Sequence, residues 1–361
     1  MGSHCLAVAT AIAGPESLPS GNLRTRSGVR LGVRACGILA IALCLACSEP
    51  GAVTDAMVPQ TSAAPTTTPT PPAGVHHHGL VGDLDGLDAS HRRAFLIGPH
   101  FDPMPPVQAG DWLEHHPEPG QTVAQFVASD HNAVTPDRRT IYLQPIGPLP
   151  HDRGPTIDEL TEHAGRYFGL PTAILPAKRV ADLDIARRRH DGVVQLHAGD
   201  VLDELETQVP ADAYCVIALT LQDLYPGDDY NYVFGLARLE ARVGVFSFAR
   251  YHPDFFEPGA TIARSEIMRR AFKVMTHEIG HMFGLEHCTF FRCNMNGSNN
   301  LSELDDEPAH LCPVCLRKLH LAVGFDPRAR YDALVESYSR AGMFEETEWA
   351  LQRSAWLDAA P

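Results

Sequence analysis

The chain has 361 residues, of which 44% are hydrophobic and 20% are charged, and its formal net charge at pH 7 is −15. This acidic balance argues against nucleic acid as a partner, and no Gly-rich phosphate loop follows a strand. The length is ample for one large folded domain.

Residues 1–47 have the pattern of an export leader. Four arginines precede an apolar run from Ala35 to Ala46, which is too short to span a bilayer as an ordinary transmembrane helix. Cys47 follows directly and resembles the lipidated cysteine of bacterial lipoprotein signals, although Cys44 stands where such signals usually have a branched aliphatic residue. We expect an exported, membrane-anchored lipoprotein. If the true start codon lies further along the chain, we expect a cytoplasmic protein instead.

Residues 48–79 are rich in Pro, Thr, Ala and Ser, and the run from Thr66 to Pro72 contains only Thr and Pro. Such a composition cannot bury enough apolar surface to fold. We therefore interpret this segment as a disordered tether that leads to a folded domain at 80–361.

The first half of this domain alternates between strands and helices. Strands are predicted at 139–144 and 172–175. Thr156 and Glu159 form a capping box that begins a helix between these strands, and Gly169 ends that helix. The alternation predicts an α+β fold with α/β-like character.

The chain then enters its most apolar segment. Asp200 is predicted to cap a helix, and 214–220 is a near-continuous apolar run, which is typical of a strand covered on both faces. Two further strands, at 232–237 and 243–248, are predicted to form a hairpin-like pair.

The run from His277 to His287 has the composition of a catalytic zinc site. His277 and His281 are four residues apart, so a helix places both imidazoles on one face, where they can bind one cation. Gly284 can end that helix with a positive φ and turn His287 back as the third ligand. Three protein ligands leave a position for a water, whose pKa the ion lowers to about 7. Glu278 is then the predicted general base.

The rest of this predicted helix is apolar on the side opposite the histidines, so we expect one face to pack into the core and the other to line a cleft. The apolar side chains are Met268, Ala271, Phe272, Met275, Ile279, Met282 and Phe283.

Four cysteines follow the motif, and thiolates in this number suit a closed tetrahedral structural site with zinc as the favoured ion. They are Cys288, Cys293, Cys312 and Cys315. Because Cys288 adjoins His287, this second ion would anchor the loop that carries the third histidine. In this polar loop, Asn294 and residues 296–300 are expected to bury little. Iron is disfavoured because the first cysteine pair has four intervening residues. Two disulfides are the stronger alternative if the compartment is oxidising.

Two helices are predicted after the cysteines. Asp326 and Pro327 begin the first, and 345–353 forms the second. We expect their tyrosines, Tyr331 and Tyr338, to pack rather than to take part in catalysis. The remaining conspicuous histidines are interpreted as surface or core residues, namely His115, His116, His131, His163 and His310.

Together these residues resemble the signature of archaemetzincins, a family of zinc metallopeptidases. The matching positions are His277, Glu278, His281, Gly284, His287, Cys288, Cys293, Met295, Cys312 and Cys315. Upstream segments are similar as well, and they begin at Pro106, Ile141, Thr220 and Val243. The resemblance covers about residues 80–350, with the zinc-binding core at about 265–320.

The resemblance implies a zincin/metzincin-like mixed β-sheet, hydrolysis of a peptide or protein substrate, and two zinc ions per chain, one catalytic and one structural. It implies that Met295 lies in a Met-turn beneath the catalytic zinc and packs against the histidines. In zincins generally, an edge strand above the active-site helix pairs with extended substrate. We expect 243–248 to be that edge strand.

Two functions remain in competition. The favoured one is a zinc metallopeptidase, which we expect to be monomeric. The alternative is a catalytically weak zinc-binding or interaction module that retains the site for structure, and the intact Glu278 argues against it because degenerate sites often lose the base first. Peptide deformylase and similar hydrolases are excluded because they take their third ligand from elsewhere in the chain than the position of His287.

Overall fold

The computed structural model describes residues 8–13, 77–152 and 154–358. The predicted lipidation site Cys47 lies outside the described residues, as do most of the leader and the tether. The strands are β1 Val8–Ala13, β2 Thr140–Ile146, β3 Thr172–Ile174, β4 Arg187–His190, β5 Val193–His197, β6 Ala213–Thr220, β7 Asp223–Tyr225, β8 Tyr230–Arg238 and β9 Val243–Ser247. The helices are α1 His77–Val81, α2 Ala89–Ala94, α3 Trp112–His115, α4 Val123–Ala128, α5 Ile157–Phe168, α6 Ala198–Glu206, α7 Arg264–Met282, α8 Leu301–Asp306, α9 Pro313–Val323, α10 Pro327–Arg340 and α11 Phe344–Asp358.

The strands form one mixed sheet in the order β3, β2, β6, β9, β8, β7, β5, β4. Strands β3, β2, β6 and β9 are parallel to one another, whereas β8 is antiparallel to both of its neighbours, β9 and β7. Strand β5 runs parallel to β7, β4 is antiparallel to β5, and β1 pairs antiparallel with β8. The mixed sheet with its helices confirms the predicted α+β fold of α/β-like character.

Strand β6 is buried along its whole length, as its apolar run predicts. Cys215, Ile217 and Leu219 belong to the larger core cluster, which also contains the apolar residues of α5 and α7. Val216 and Ala218 point into a second cluster with α6. Because alternate residues of a strand face opposite sides, helices cover both faces of the sheet here.

The pairing of β8 with β9 confirms the predicted hairpin, but the position of β9 in the sheet does not match the prediction. Val216 of β6 pairs with Val243 of β9, and the pairing continues to Thr220 and Ser247. The expectation that 243–248 is an edge strand is therefore wrong, since β9 lies between β6 and β8. The hairpin shows which strands pair locally, whereas the contact with β6 is a long-range one that no local pattern indicates.

Local signals set most of the predicted helix ends. Thr156 and Glu159 make the predicted capping box of α5, and Gly169 ends this helix with a φ of 67°. Asp326 caps α10 by accepting a hydrogen bond from the backbone of Ala329. The prediction for Asp200 is wrong, because α6 begins two residues earlier and Asp200 lies in its first turn, bonded to the Ala186 N–H.

Helix α7 carries the zinc motif and is buried on both sides along its second half. The apolar side belongs to the larger core cluster, as predicted. The histidine side is buried as well, with only 6% of His277 and 1% of Glu278 exposed. Across the described ranges, no helix combines the length and apolar character that crossing a bilayer requires.

Candidate metal centres

Helix α7 places His277 and His281 one turn apart with their rings facing a common point. Their ring centroids are 4.5 Å apart, and their Nε2 atoms approach to 2.8 Å. Both side chains are buried. This is the arrangement that the four-residue spacing predicts, and it allows both nitrogens to contact one cation.

The third histidine returns to this point because the chain turns at Gly284, which has a φ of +87°. A Cβ atom at Gly284 would also lie 2.9 Å from the Cβ of His131, so a glycine is required for space as well. The ring of His287 then lies 5.3 Å from that of His277 and 5.1 Å from that of His281, measured between centroids. The structure therefore brings the three predicted ligands together.

Hydrogen bonds fix which nitrogen of each ring faces the common point. Nδ1 of His277 lies 2.8 Å from the carbonyl oxygen of Asn294, and Nδ1 of His281 lies 2.7 Å from that of Leu285. Nδ1 of His287 lies 2.9 Å from a carboxylate oxygen of Glu118. Carbonyl and carboxylate oxygens only accept hydrogen bonds, so each Nδ1 carries the proton and each Nε2 presents a lone pair.

Burial keeps two of these imidazoles neutral, which is the form that binds metals. It lowers the pKa of His277 to about 3, and the neighbouring His287 adds to this effect. Burial also lowers the pKa of His281 well below its ordinary value. Nε2 of His287 has no hydrogen-bond partner among the described residues. Three converging imidazole lone pairs fit the ligand set of a zinc ion with an open position.

Glu278 lies beside the histidines with a carboxylate that nothing in the described part of the chain engages. Both of its oxygens are buried and lack a hydrogen-bond partner there. Gly235 of β8 makes room for it, because a Cβ at that position would lie 2.4 Å from Oε1 of Glu278. Burial raises the pKa of the Glu278 carboxyl well above its ordinary value, which is the direction that a general base working near neutral pH requires.

Met295 packs against α7 at Gly280, which lies between His277 and His281 in the sequence. A Cβ at Gly280 would lie 2.6 Å from the Met295 sulfur, and Met295 is fully buried. Its carbonyl oxygen accepts a hydrogen bond from the N–H of Cys288 at 2.7 Å. Met295 therefore packs on α7 at Gly280, and the contact with the histidines that the resemblance implies stays a prediction.

The four predicted cysteines form a second cluster, and all four are buried and free. Their sulfur atoms lie within 4.8 Å of one another, and those of Cys288 and Cys312 are 3.6 Å apart, far beyond a disulfide bond of about 2.05 Å. The N–H groups of Cys312 and Met295 point at the sulfur of Cys293. Four converging sulfurs, with no further ligand in this cluster among the described residues, fit a closed structural zinc site.

The loop between the two clusters is more ordered by hydrogen bonds than its polar sequence predicts. Asn294 and Asn296 are buried, and the amide of Asn296 donates to the carbonyl oxygen of Cys288 at 2.6 Å. The side-chain amide of Asn294 donates to the hydroxyl of Thr276 on α7, and the backbone carbonyl oxygen of Asn294 accepts a hydrogen bond from Nδ1 of His277. The expectation that this segment buries little is therefore wrong: the side-chain N–H groups of Asn294 and Asn296 donate within the protein, while Oδ1 of Asn294 is buried without a hydrogen-bond partner among the described residues.

The sequence gives no indication of Glu118, although this side chain contacts the third histidine. Glu118 is separated from His287 by 169 residues and belongs to no motif. Burial raises the pKa of its carboxyl, but the hydrogen bonds from His287 and Trp112 and the nearby charges of His287 and His116 together outweigh this, and the pKa lies below its ordinary value. Only the folded chain brings the two side chains together.

His163 and His310, two of the histidines interpreted as surface or core residues, make packing contacts. His163 stacks on Phe272 with ring centroids 3.7 Å apart, and His310 stacks on Trp349 at 3.6 Å. The hydroxyl of Tyr338 donates to the carbonyl oxygen of Ala309. None of these three side chains belongs to either cluster of possible metal ligands within the residues described.

The family model and the curated relatives agree on one family. The model of peptidase family M54 matches residues 167–321. Archaemetzincin-2 of Macaca fascicularis is 38% identical over 294 residues, which cover 71% of this chain and 81% of that protein, and archaemetzincin-2 of Homo sapiens is 39% identical with the same coverage. An archaemetzincin crystal structure from Archaeoglobus fulgidus, complexed with malonate, shares 27% identity at a TM-score of 0.40 and covers 50% of this chain and 99% of its own.

Gly235→Ala tests whether β8 must leave space for Glu278. The added Cβ would displace the carboxylate, because its nearest contact would be only 2.4 Å. We expect any hydrolysis that Glu278 assists to slow by about 10²–10⁴-fold, while bound zinc stays unchanged. Turnover of a peptide library and elemental analysis measure the two effects.

The matched control is Gly227→Ala, since a Cβ at Gly227 meets nothing within 4 Å. It should leave both quantities unchanged. Full activity in Gly235→Ala would show that Glu278 does not need its present position.

Proposed function

Since this chain belongs to the archaemetzincin family and is a zinc metallopeptidase, we propose that Glu278 is its general base and that His277, His281 and His287 hold its catalytic zinc. The observation that carries this proposal is the pairing of three converging Nε2 atoms with a buried carboxylate that has no other partner among the described residues. The substrate is a peptide or protein.

His277, His281 and His287 would hold the zinc, which would supply polarisation of the scissile carbonyl and a lowered pKa for its water ligand, to about 7. The carboxylate of Glu278 takes a proton from the attacking water and later gives that proton to the leaving amine. Burial favours this transfer, because it raises the affinity of the carboxylate for a proton. Gly235 leaves room for the Glu278 carboxylate, because a Cβ at this position would lie 2.4 Å from Oε1.

We also propose a second, structural zinc held by the four cysteines, which gives two zinc ions per chain. The closed set of buried sulfurs supports this proposal. The loop that carries Cys288 also carries His287 and Asn294, and Asn294 holds His277. The structural ion would therefore fix the geometry of the catalytic one.

The proposals about the N-terminal segments and about the oligomeric state are supported by the sequence alone. We propose that residues 1–47 are a leader, that 48–79 form a tether whose last residues enter α1, and that 80–361 form the peptidase domain, with anchoring through a lipidated Cys47. The support is the order of basic run, apolar run and cysteine. Strand β1 lies within the proposed leader and pairs with β8, so cleavage before Cys47 would remove this strand from the sheet. We propose that the peptidase domain acts as a monomer.

The alternative is a zinc-binding module that retains the site for structure. Such a module has no need of a buried carboxylate at 1% exposure, because burying an unpaired acid opposes folding. The presence of Glu278 in this position therefore favours the enzyme.

Glu278→Gln separates the enzyme from the structural module. Gln is nearly isosteric but cannot take the proton, so turnover should fall by about 10²–10⁴-fold while zinc content stays the same. The readouts are hydrolysis of a peptide library, followed by mass spectrometry, and elemental analysis. Glu286→Gln is the control, because Glu286 lies in the same motif but is exposed. Unchanged turnover in Glu278→Gln would reject Glu278 as the base.

The zinc count tests the second site. Full-length protein purified without added zinc should contain two zinc ions, and Cys293→Ser should contain one and unfold at a lower temperature, since structural zinc binding contributes directly to folding. Cys215→Ala is the control, because Cys215 is buried in β6 away from the cluster. One zinc in the wild type, with none of the four cluster thiols free, would indicate disulfides instead.

A further inference from the structure

The third histidine differs from the other two in what holds its Nδ1. His277 and His281 donate to backbone carbonyl oxygens, those of Asn294 and Leu285, whereas Nδ1 of His287 lies 2.9 and 3.0 Å from the two carboxylate oxygens of Glu118. A hydrogen bond to an ionised acceptor is roughly twice as strong as one between neutral groups. His287 therefore has the strongest orienting partner of the three.

Glu118 is itself held in place. The indole N–H of Trp112 donates to Oε1 of Glu118 at 3.1 Å. The Trp112 ring also meets the His287 ring edge to face, with centroids 5.2 Å apart. The backbone N–H of Trp112 donates to Glu303 at 2.7 Å, which ties α3 to α8. Trp112 thus contacts both the Glu118 carboxylate and the His287 imidazole.

The residues that follow Glu118 hold the turn in which His287 lies. We call the segment 118–121 the brace. The side-chain amide of Gln121 donates to the carbonyl oxygen of Gly284, and its oxygen accepts from the Glu286 N–H and from Lys318. The brace therefore contacts the backbone of the turn on the N-terminal side of His287, and the contact is buried at Gln121.

The brace also meets the chain just beyond the third histidine. Gly120 has a φ of +73°, and a Cβ there would lie 2.3 Å from the hydroxyl oxygen of Thr289. Only glycine allows this close approach. The brace therefore contacts the chain on both sides of His287: Gln121 contacts the residues before it, and Gly120 contacts Thr289 after it.

We propose that Glu118 is a positioning residue for the catalytic zinc, acting through His287, and that the brace supports this role from a segment upstream of the range that the family model matches. The inference rests on the proposed function, since it assumes that His287 is a zinc ligand. The brace lies upstream of residues 167–321, the range that the family model matches. The segment before β2 therefore completes the metal centre.

Glu118 acts on the imidazole ring of His287, which its carboxylate contacts, rather than on the substrate. The carboxylate keeps the His287 proton on Nδ1, so Nε2 always presents its lone pair to the ion. It also increases the electron density of the imidazole and thereby its strength as a ligand. Removal of this acceptor leaves a buried N–H unpaired and frees the ring to turn or to change tautomer.

The test compares the metal affinity of Glu118→Gln and Glu118→Ala with that of the wild type. Zinc affinity of the histidine site should fall by about 10-fold in Glu118→Gln and by about 100-fold in Glu118→Ala, as is typical when the partner of a ligating histidine is lost. A chelator competition measures the affinity. Cobalt(II) identifies the site that weakens, because sulfur ligands add charge-transfer absorption that a three-histidine site lacks.

The control is Glu114→Gln in α3, which removes the same negative charge four residues before Glu118. Glu114 accepts a hydrogen bond from the Gly110 N–H and does not contact His287. The zinc affinity of this variant should equal that of the wild type. Thermal unfolding of the metal-free variants checks that each is folded. Glu118→Gln is nearly isosteric, so it remains informative if Glu118→Ala unfolds.

Each outcome separates the two proposals. If wild-type protein takes up no metal at the histidines, the proposed function fails. If the wild type binds metal there and folded Glu118→Gln and Glu118→Ala bind it equally tightly, the proposed function stands and the role of Glu118 is rejected. Reduced affinity in both variants, with partial recovery of turnover at saturating zinc, supports the inference.

Discussion

Three buried imidazole rings direct the lone pairs of their Nε2 atoms at one point, and two of these atoms, on His277 and His281, are only 2.8 Å apart. Each Nδ1 already donates to an oxygen, so no proton remains to lie between them. Two lone pairs at this distance in a buried site repel each other unless a cation binds both. The remainder of the centre either creates this arrangement or keeps it in place.

The loop after α7 links this constraint to the cysteine cluster. Its carbonyl at Asn294 orients His277, and Met295 fills the space under Gly280. The same loop supplies Cys288 and Cys293, so any ion bound by the sulfurs limits the movement of the histidine supports. A polar loop with few apolar contacts can hold a ligand geometry in this way, because the metal and the internal hydrogen bonds replace a hydrophobic core.

Sequence patterns predict those parts of the structure that depend on neighbours in the chain. The spacing of His277 and His281, the turn at Gly284 and the capping box at Thr156 are each set within a few residues, and each is found as predicted. The position of β9 inside the sheet depends on pairing with β6, and the partner of His287 is 169 residues away. Such contacts depend on the packing of the whole domain, and no local spacing encodes them.

X-ray absorption at the zinc edge tests most directly whether the chain holds one imidazole-bound and one thiolate-bound zinc. Full-length protein loaded with two zinc ions should show nitrogen or oxygen neighbours at about 2.0 Å and sulfur neighbours at about 2.3 Å in comparable numbers. Histidine multiple scattering should accompany the shorter shell. A spectrum with sulfur neighbours alone, or with nitrogen and oxygen neighbours alone, would contradict the proposed pair of zinc sites.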